Sequence, residues 1–182
     1  MKSIKLLSVL ALGTLILTAC GDSSDKETPK SSDTAKQEQT EKSETKGENE
    51  VFKDNTLTTK DAIVTYTGSE KGADYDGKPI IYTFFTVTNK KEEPILAQAL
   101  IMNYVEFNQN LGSTTKRLDF GITMDSPHQD KLDILQQDIN PDGTVDIAYV
   151  NNIEDESKPV SIIFKENMFD SKPAGTIEVD VK

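Results

Sequence analysis

Over residues 51–182 the apolar side chains recur with a period of two, and this alternation restricts what the segment can fold into more than any other property of the chain. Val145, Ile147 and Tyr149 alternate with Asp146 and Ala148; Val160, Ile162 and Phe164 alternate with Ser161 and Ile163; Ile177, Val179 and Val181 alternate with Glu178 and Asp180. A strand sends successive side chains to opposite faces, whereas a helix needs a repeat near 3.6. These segments are therefore expected to be half-buried strands. Residues 79–89 and 94–109 are apolar or β-branched on both sides of the repeat, which predicts central strands covered on each face. Ala and Leu within residues 96–102 would also suit a helix, but Val105 and Phe107 carry the period of two onward, so the whole segment is read as strand. An earlier strand is expected over residues 62–67, where Ile63, Val64 and Tyr66 sit among threonines.

Turn chemistry falls between these runs. Asn89-Lys90-Lys91-Glu92-Glu93-Pro94 separates two of them with charge and a proline, and Asn108-Gln109-Asn110-Leu111-Gly112 reads as a hairpin turn. Asn140-Pro141-Asp142-Gly143 places Pro at the second and Gly at the fourth position of a type I turn. The one helical signal is Ser126-Pro127-His128-Gln129-Asp130-Lys131-Leu132, with Ser126 as N-cap and Pro127 at the first helical position. Six or seven short strands joined by turns predict an all-β, antiparallel β-sandwich of about seven strands, with a small barrel as the alternative. The segment has neither Cys nor Trp, so any immunoglobulin likeness excludes the Cys-Trp-Cys core of antibody domains.

The N-terminus carries a different kind of information. Lys2 and Lys5 precede an apolar run over residues 6–17, which ends in Leu17-Thr18-Ala19-Cys20. The run is shorter than the roughly 20 apolar residues that span a bilayer, so residues 1–19 read as a signal peptide. The Leu-Thr-Ala-Cys ending resembles the lipobox of bacterial lipoproteins. That resemblance implies cleavage before Cys20 and diacylglycerol (palmitate-type) lipidation of its sulfur, giving two acyl chains where one would hold only marginally. Cys20 is the only cysteine, so no thiol is left for a disulfide, a redox pair or a zinc site. Removing residues 1–19 takes away two lysines and no acid, which deepens the formal charge from −11 to −13. Such a surface disfavours nucleic acid and anionic lipid heads.

Residues 21–50 contain Ser, Thr, Asp, Glu, Lys, Gln, Asn and Gly, with only Pro29 and Ala35 carrying non-polar side chains. With nothing to bury, the segment is expected to be a disordered linker. A lone charged helix is the alternative, against which the Ser and Thr content argues. A linker of this length has an end-to-end distance of roughly 30 Å, and about 100 Å fully stretched. The domains are thus read as a signal peptide at 1–19, a lipidated cysteine and polar linker at 20–50, and a β-sandwich at 51–182.

Three stretches add a family likeness: Ile81-Tyr82-Thr83-Phe84-Phe85-Thr86-Val87-Thr88-Asn89, Val105-Glu106-Phe107-Asn108-Gln109-Asn110, and Ile139-Asn140-Pro141-Asp142-Gly143-Thr144-Val145. Behind a lipobox and polar linker, they resemble the immunoglobulin-like lipoproteins of Gram-positive bacteria grouped as domain-of-unknown-function family 5067, to which telokin-like lipoprotein domains are related. Asp142 inserts one residue where that family reads Pro-Gly directly. The resemblance covers residues from about 55 to 182. It implies a β-sandwich on the outer face of a Gram-positive cell membrane, and it brings no catalytic residue.

Signals for chemistry are sparse. His128 is the sole histidine, sits in a polar stretch and is read as a solvated residue at a helix start. Ser126, His128 and Asp130 lie too close in sequence to converge as a triad. No Gly-rich phosphate loop and no Gly-x-Ser-x-Gly elbow occurs. Asp74-Tyr75-Asp76-Gly77 resembles the middle of a calcium loop, yet Gly72 and Thr83 stand where acids are required, so a turn is expected. Asp130, Asp133, Asp138, Asp142 and Asp146 are read as a solvated acidic face. The chain is therefore expected to be no enzyme, to need no cofactor or metal, and to bind an envelope protein or wall polymer through its sandwich. A structural or envelope-maintenance role is the alternative, and a metal-dependent or hydrolytic domain the third.

Overall fold

The structure is a computed structural model that describes residues 51–181. In chain order its strands are β1 (Phe52–Lys53), β2 (Thr56–Thr58), β3 (Ala62–Ala73), β4 (Pro79–Asn89), β5 (Ile95–Leu96), β6 (Val105–Asn110), β7 (Thr115–Arg117), β8 (Asp138–Ile139), β9 (Thr144–Asn152), β10 (Val160–Phe164) and β11 (Gly175–Val179). Two helices interrupt them, α1 (Ala97–Tyr104) and α2 (Gln129–Asp133), the second running into a 3-10 turn at Ile134–Gln136. One antiparallel sheet has the order β1-β2-β3-β4-β9 and the other β11-β10-β6-β7, while β5 and β8 pair separately.

The alternating positions of both sheets meet in one core. Val64, Phe85, Val87 and Ile147 from the first sheet join Phe107, Ile162 and Phe164 from the second, all buried. Phe85 contacts Phe107 and Phe164 edge-on across the sandwich, at centroid distances of 6.2 and 6.4 Å. The fold is the expected antiparallel β-sandwich; two- and three-residue strands at its margins raise the strand number above seven. β4 is covered on both faces, as its composition requires. Ile81, Phe85 and Val87 face the main core, while Ile80 and Tyr82 form a smaller cluster with Val150, against which Phe84 and Leu132 pack.

Residues 94–109 depart from the strand reading. Their first half forms α1, because Ala97, Leu100, Ile101 and Tyr104 recur at spacings of three and four and bury one helical stripe. Two Ala, a Gln, a Leu and a Met among its eight residues favour the helix intrinsically. It ends where Val105 turns extended at φ −129° and ψ 135°, and β6 then carries the predicted period of two. Ile101→Asp would put an unpaired carboxylate in the core and is the change that would break this packing.

Other departures are local. β3 runs six residues past the expected strand, since a bulge between Tyr66 and Gly68 lets its polar half keep pairing with β4. Helix α2 starts after His128 and not at Pro127: Ser126 Oγ accepts the His128 N–H at 3.1 Å, closing a turn ahead of the helix. The Asn140–Gly143 turn has its closing bond, Gly143 N–H to Asn140 O at 2.9 Å, but Asp142 sits at φ 58°. A positive φ at the third position marks type II, not type I, and Asp tolerates it better than most residues.

The topology gives the sandwich two distinct ends. β3 rises over twelve residues, about 35–40 Å. At its lower end lie Ala62 paired with Asn89, the Asn140–Gly143 turn, and Val51, whose carbonyl accepts the Thr58 N–H at 2.7 Å. This near end is where the chain joins the domain. At the far end lie the 74–78 turn, the end of β9 and the loop that follows it.

Candidate binding groove

Cys20 lies outside the described residues. Of the other residues singled out above, His128 is not solvated: its side chain is 21% exposed and packs edge-on against Tyr82 and Phe84, at 5.0 and 4.7 Å. Its Nε2 lies 3.1 Å from Glu70 Oε2, so the ring pins α2 to the outer face of β3 and β4. Ser126 Oγ donates to the Tyr82 hydroxyl at 3.2 Å, and Asp130 is exposed. The three do not form a catalytic set. Asp74 Oδ1 accepts the backbone N–H groups of Asp76 and Lys78, both at 2.8 Å, which spends the carboxylate on its own turn. Asp146 Oδ1 accepts from Thr86 Oγ1 at 2.6 Å and Asp133 Oδ1 from Gln129 at 2.7 Å. Among the described residues, no three His, Cys, Asp or Glu side chains come together in a set able to hold a metal ion.

Two buried amides fasten the ends. Asn89 donates from Nδ2 to Glu93 O at 2.8 Å and Ile139 O at 2.9 Å, and its Oδ1 accepts the Lys91 N–H at 2.9 Å. Gln109 does the same at the far end with four bonds: Nε2 donates to Asp155 O and Lys158 O, each at 3.0 Å, and Oε1 accepts from Glu154 N at 2.9 Å and Asp155 N at 3.1 Å. Buried polar groups are tolerated when satisfied in this way.

The far end, so fastened, holds an open groove of about 380 Å³ between the 74–78 turn and residues 120–122. Besides Pro79 and the buried Ile153, its apolar members are Tyr75, Phe120 and Ile122, exposed by 63%, 44% and 65%. The backbone of residues 120–121 is held against β9. Gly121 donates to Val150 O at 2.9 Å, and Phe120 makes a bridge to Asn151 at the margin of β9. A Cβ on Gly121 would meet Val150 Cγ1 at 2.6 Å, so only glycine lets this segment come so close while its neighbours splay into solvent. Phe120 also rests edge-on against Tyr149 at 5.2 Å, and Tyr149 stacks on Phe107 at 5.3 Å, a line of rings from core to groove. Burial pushes the Tyr149 phenol up from its ordinary pKa.

Asp74, Asp76, Lys78 and Glu154 rim the groove. Lys116 bridges Asp119 and Glu154 at 3.4 and 3.6 Å, and hydrogen bonding to Asp119 raises its pKa. Behind Glu154, Asp155 is held below the usual carboxylate range by hydrogen bonds from Ser157. The rim thus carries more carboxylates than ammonium groups. None of the groove's apolar residues was expected from sequence. The alternation of Phe120, Ile122 and Met124 is the only signal, and it imitates the buried face of a strand.

A β-sandwich with a fastened, open groove of mixed polar and apolar lining at one end is the class this chain represents. The chain belongs to the domain-of-unknown-function family DUF5067, whose profile matches residues 24–166. Among solved structures, a protein of Enterococcus faecalis studied by NMR is 32% identical, with 72% of this chain and 93% of that one covered at a TM-score of 0.64. A candidate lipoprotein of Staphylococcus aureus shares the fold at 14% identity, with 71% and 90% covered and a TM-score of 0.63. No curated protein sequence matches.

Proposed function

We propose that the chain is a lipid-anchored protein on the outer face of a Gram-positive cell membrane, and that its far-end groove recognises an apolar group flanked by positive charge on an envelope protein or wall polymer. Recognition, not catalysis, is the activity. The observation that carries this reading is the exposure of Tyr75, Phe120 and Ile122 around one groove. Exposed apolar patches with polar rims mark interaction sites, and aromatic anchors supply most of the binding energy at such surfaces. The anchor rests on the lipobox ending at Cys20, and the Staphylococcus aureus neighbour, described as a candidate lipoprotein, accords with it.

A photo-reactive residue substituted at Ile122 should give a discrete adduct on intact cells, and Phe120→Asp in the same chain should abolish it. An equal adduct from a reactive residue at Thr58, on the near end, would overturn the assignment to the groove. The anchor has its own test. Cys20→Ala should eliminate lipid labelling and release the protein to the medium; unchanged membrane retention would show that the chain is held some other way.

A further inference from the structure

The near end carries a second apolar surface, and its position relative to the chain's path identifies what covers it. Residues 165–174 form a loop whose tip is hydrogen-bonded to itself: Asn167 donates to Asp170 Oδ2 from its backbone at 3.0 Å and its side chain at 2.7 Å, and Phe169 N–H donates to Asn167 Oδ1 at 3.0 Å. This small hydrogen-bonded turn holds Met168 and Phe169 into solvent, 55% and 87% exposed. The Met168 N–H reaches Asn103 Oδ1 on α1 at 3.4 Å, which brings Met102, 48% exposed, beside them. A cleft of about 390 Å³ opens between the loop and the helix, lined on its apolar side by Ile95, Leu100, Met102, Tyr104 and Met168.

The same loop closes on the point where the chain joins the domain. Gly175, directly after it, is so near Phe52 that a Cβ there would meet the Phe52 ring at 2.1 Å, and Phe52 follows Val51, the first described residue. The residues that join Cys20 to Val51 therefore lead from this end.

We infer that Met102, Met168 and Phe169 seat the domain on the lipid bilayer, with the near end against the membrane and the groove facing away. The inference rests on the lipid anchor at Cys20. A contact of three apolar side chains is weak for a free protein. The thirty residues between Cys20 and Val51 cannot reach beyond about 100 Å even fully stretched, so the tether keeps the bilayer at high effective concentration, and a weak contact then suffices. Phe and Met suit the headgroup boundary, where apolar side chains of surface-bound segments sit. The cleft carries both signs, Asp61 and Lys91, and the chain is acidic overall, so apolar insertion and not attraction to anionic lipid makes the contact.

The chain contains no tryptophan, so one introduced indole reports its own surroundings. The lipidated full-length protein carrying Phe169→Trp is reconstituted in phosphatidylcholine vesicles. Its emission should shift to the blue and be quenched by brominated phosphatidylcholine, with no change at raised salt, while Ile122→Trp should show neither effect. Protein that floats with vesicles yet shows an unquenched indole at position 169 overturns the inference and leaves the anchor standing. Quenching at position 122 instead overturns it in favour of the opposite orientation. A blue shift that grows with protein concentration without lipid assigns the patch to a second copy. Failure to float removes the anchor, and this inference with it.

Discussion

The two ends of the sandwich are closed by the same device and used differently. Each is fastened by one buried amide: Asn89 at the near end with three bonds, two within its own turn and one to Ile139, and Gln109 at the far end with four, all to backbone groups more than forty residues on. Each also exposes apolar side chains, but the near-end set is Met168 and Phe169 on a hydrogen-bonded turn beside Met102 of α1, and the far-end set surrounds a groove with an acidic rim. One strand framework thus presents an exposed apolar turn beside a cleft at one end and an acid-rimmed groove at the other.

The largest expected effect tests the fastening itself. Gln109→Leu leaves two carbonyls and two N–H groups without partners and should cost about 3 kcal/mol in urea unfolding. Asn89→Leu should cost less, in proportion to its fewer bonds. If the near-end change costs more, the two clamps are not equivalent devices. Next in size is Gly175→Ala, whose Cβ would overlap the Phe52 ring; overpacking of this kind costs about 1–3 kcal/mol. Calorimetry should show the melting temperature largely restored when Phe52→Leu is added, and no restoration would place the strain elsewhere.

A smaller effect is pH-dependent. Lys165 Nζ donates to Glu106 at 2.7 Å, and this bond, against the upward push of burial, holds the Glu106 carboxyl below the usual carboxylate range. A lowered folded-state pKa stabilises above the unfolded value, and that stability is lost as pH falls through the folded one. Glu106→Gln should therefore melt below the parent at neutral pH, with the gap closing as acid is added; a gap independent of pH would attribute the loss to packing. Smallest is Thr83, which is fully buried between the ends with its Oγ1 lacking a partner. Thr83→Val removes that unsatisfied hydroxyl and should raise stability by about 0.5–1 kcal/mol in urea, leaving both ends untouched.

The strands were legible in the sequence because each inward residue is two positions from the next. Pro79–Asn89 shows its double burial by composition alone. The helix α1 was not, since its stripe of Ala97, Leu100, Ile101 and Tyr104 overlaps a run that also satisfies a period of two, and only the sharp change at Val105 separates them. The amides Asn89 and Gln109 stand within the stretches that carried the family likeness. Their partners at Ile139, Asp155 and Lys158 lie some fifty residues away, beyond what local spacing can show. The groove was hidden for the opposite reason: Phe120 and Ile122 look like core residues, and it is Gly121 between them that packs inward against Val150.

The way β1 is attached has a mechanical consequence. The chain rises from the near end into β1, which runs along the long axis of the sheet and is held to β2 over only two residues, with the Phe52 ring 4.7 Å from that of Phe164. Traction between a membrane and a load at the far end would pull β1 along its own axis and stress those few bonds together, in shear. β1 and β2 would yield before β3 and β4, whose pairing spans the domain. Residues 51–61 would then pay out roughly 36 Å of chain, at about 3.3 Å per residue, while the rest stayed folded. In an optical trap this fuse should appear as an early extension step of that size, and a single all-or-none rupture would show that the first strands bear load as part of the whole.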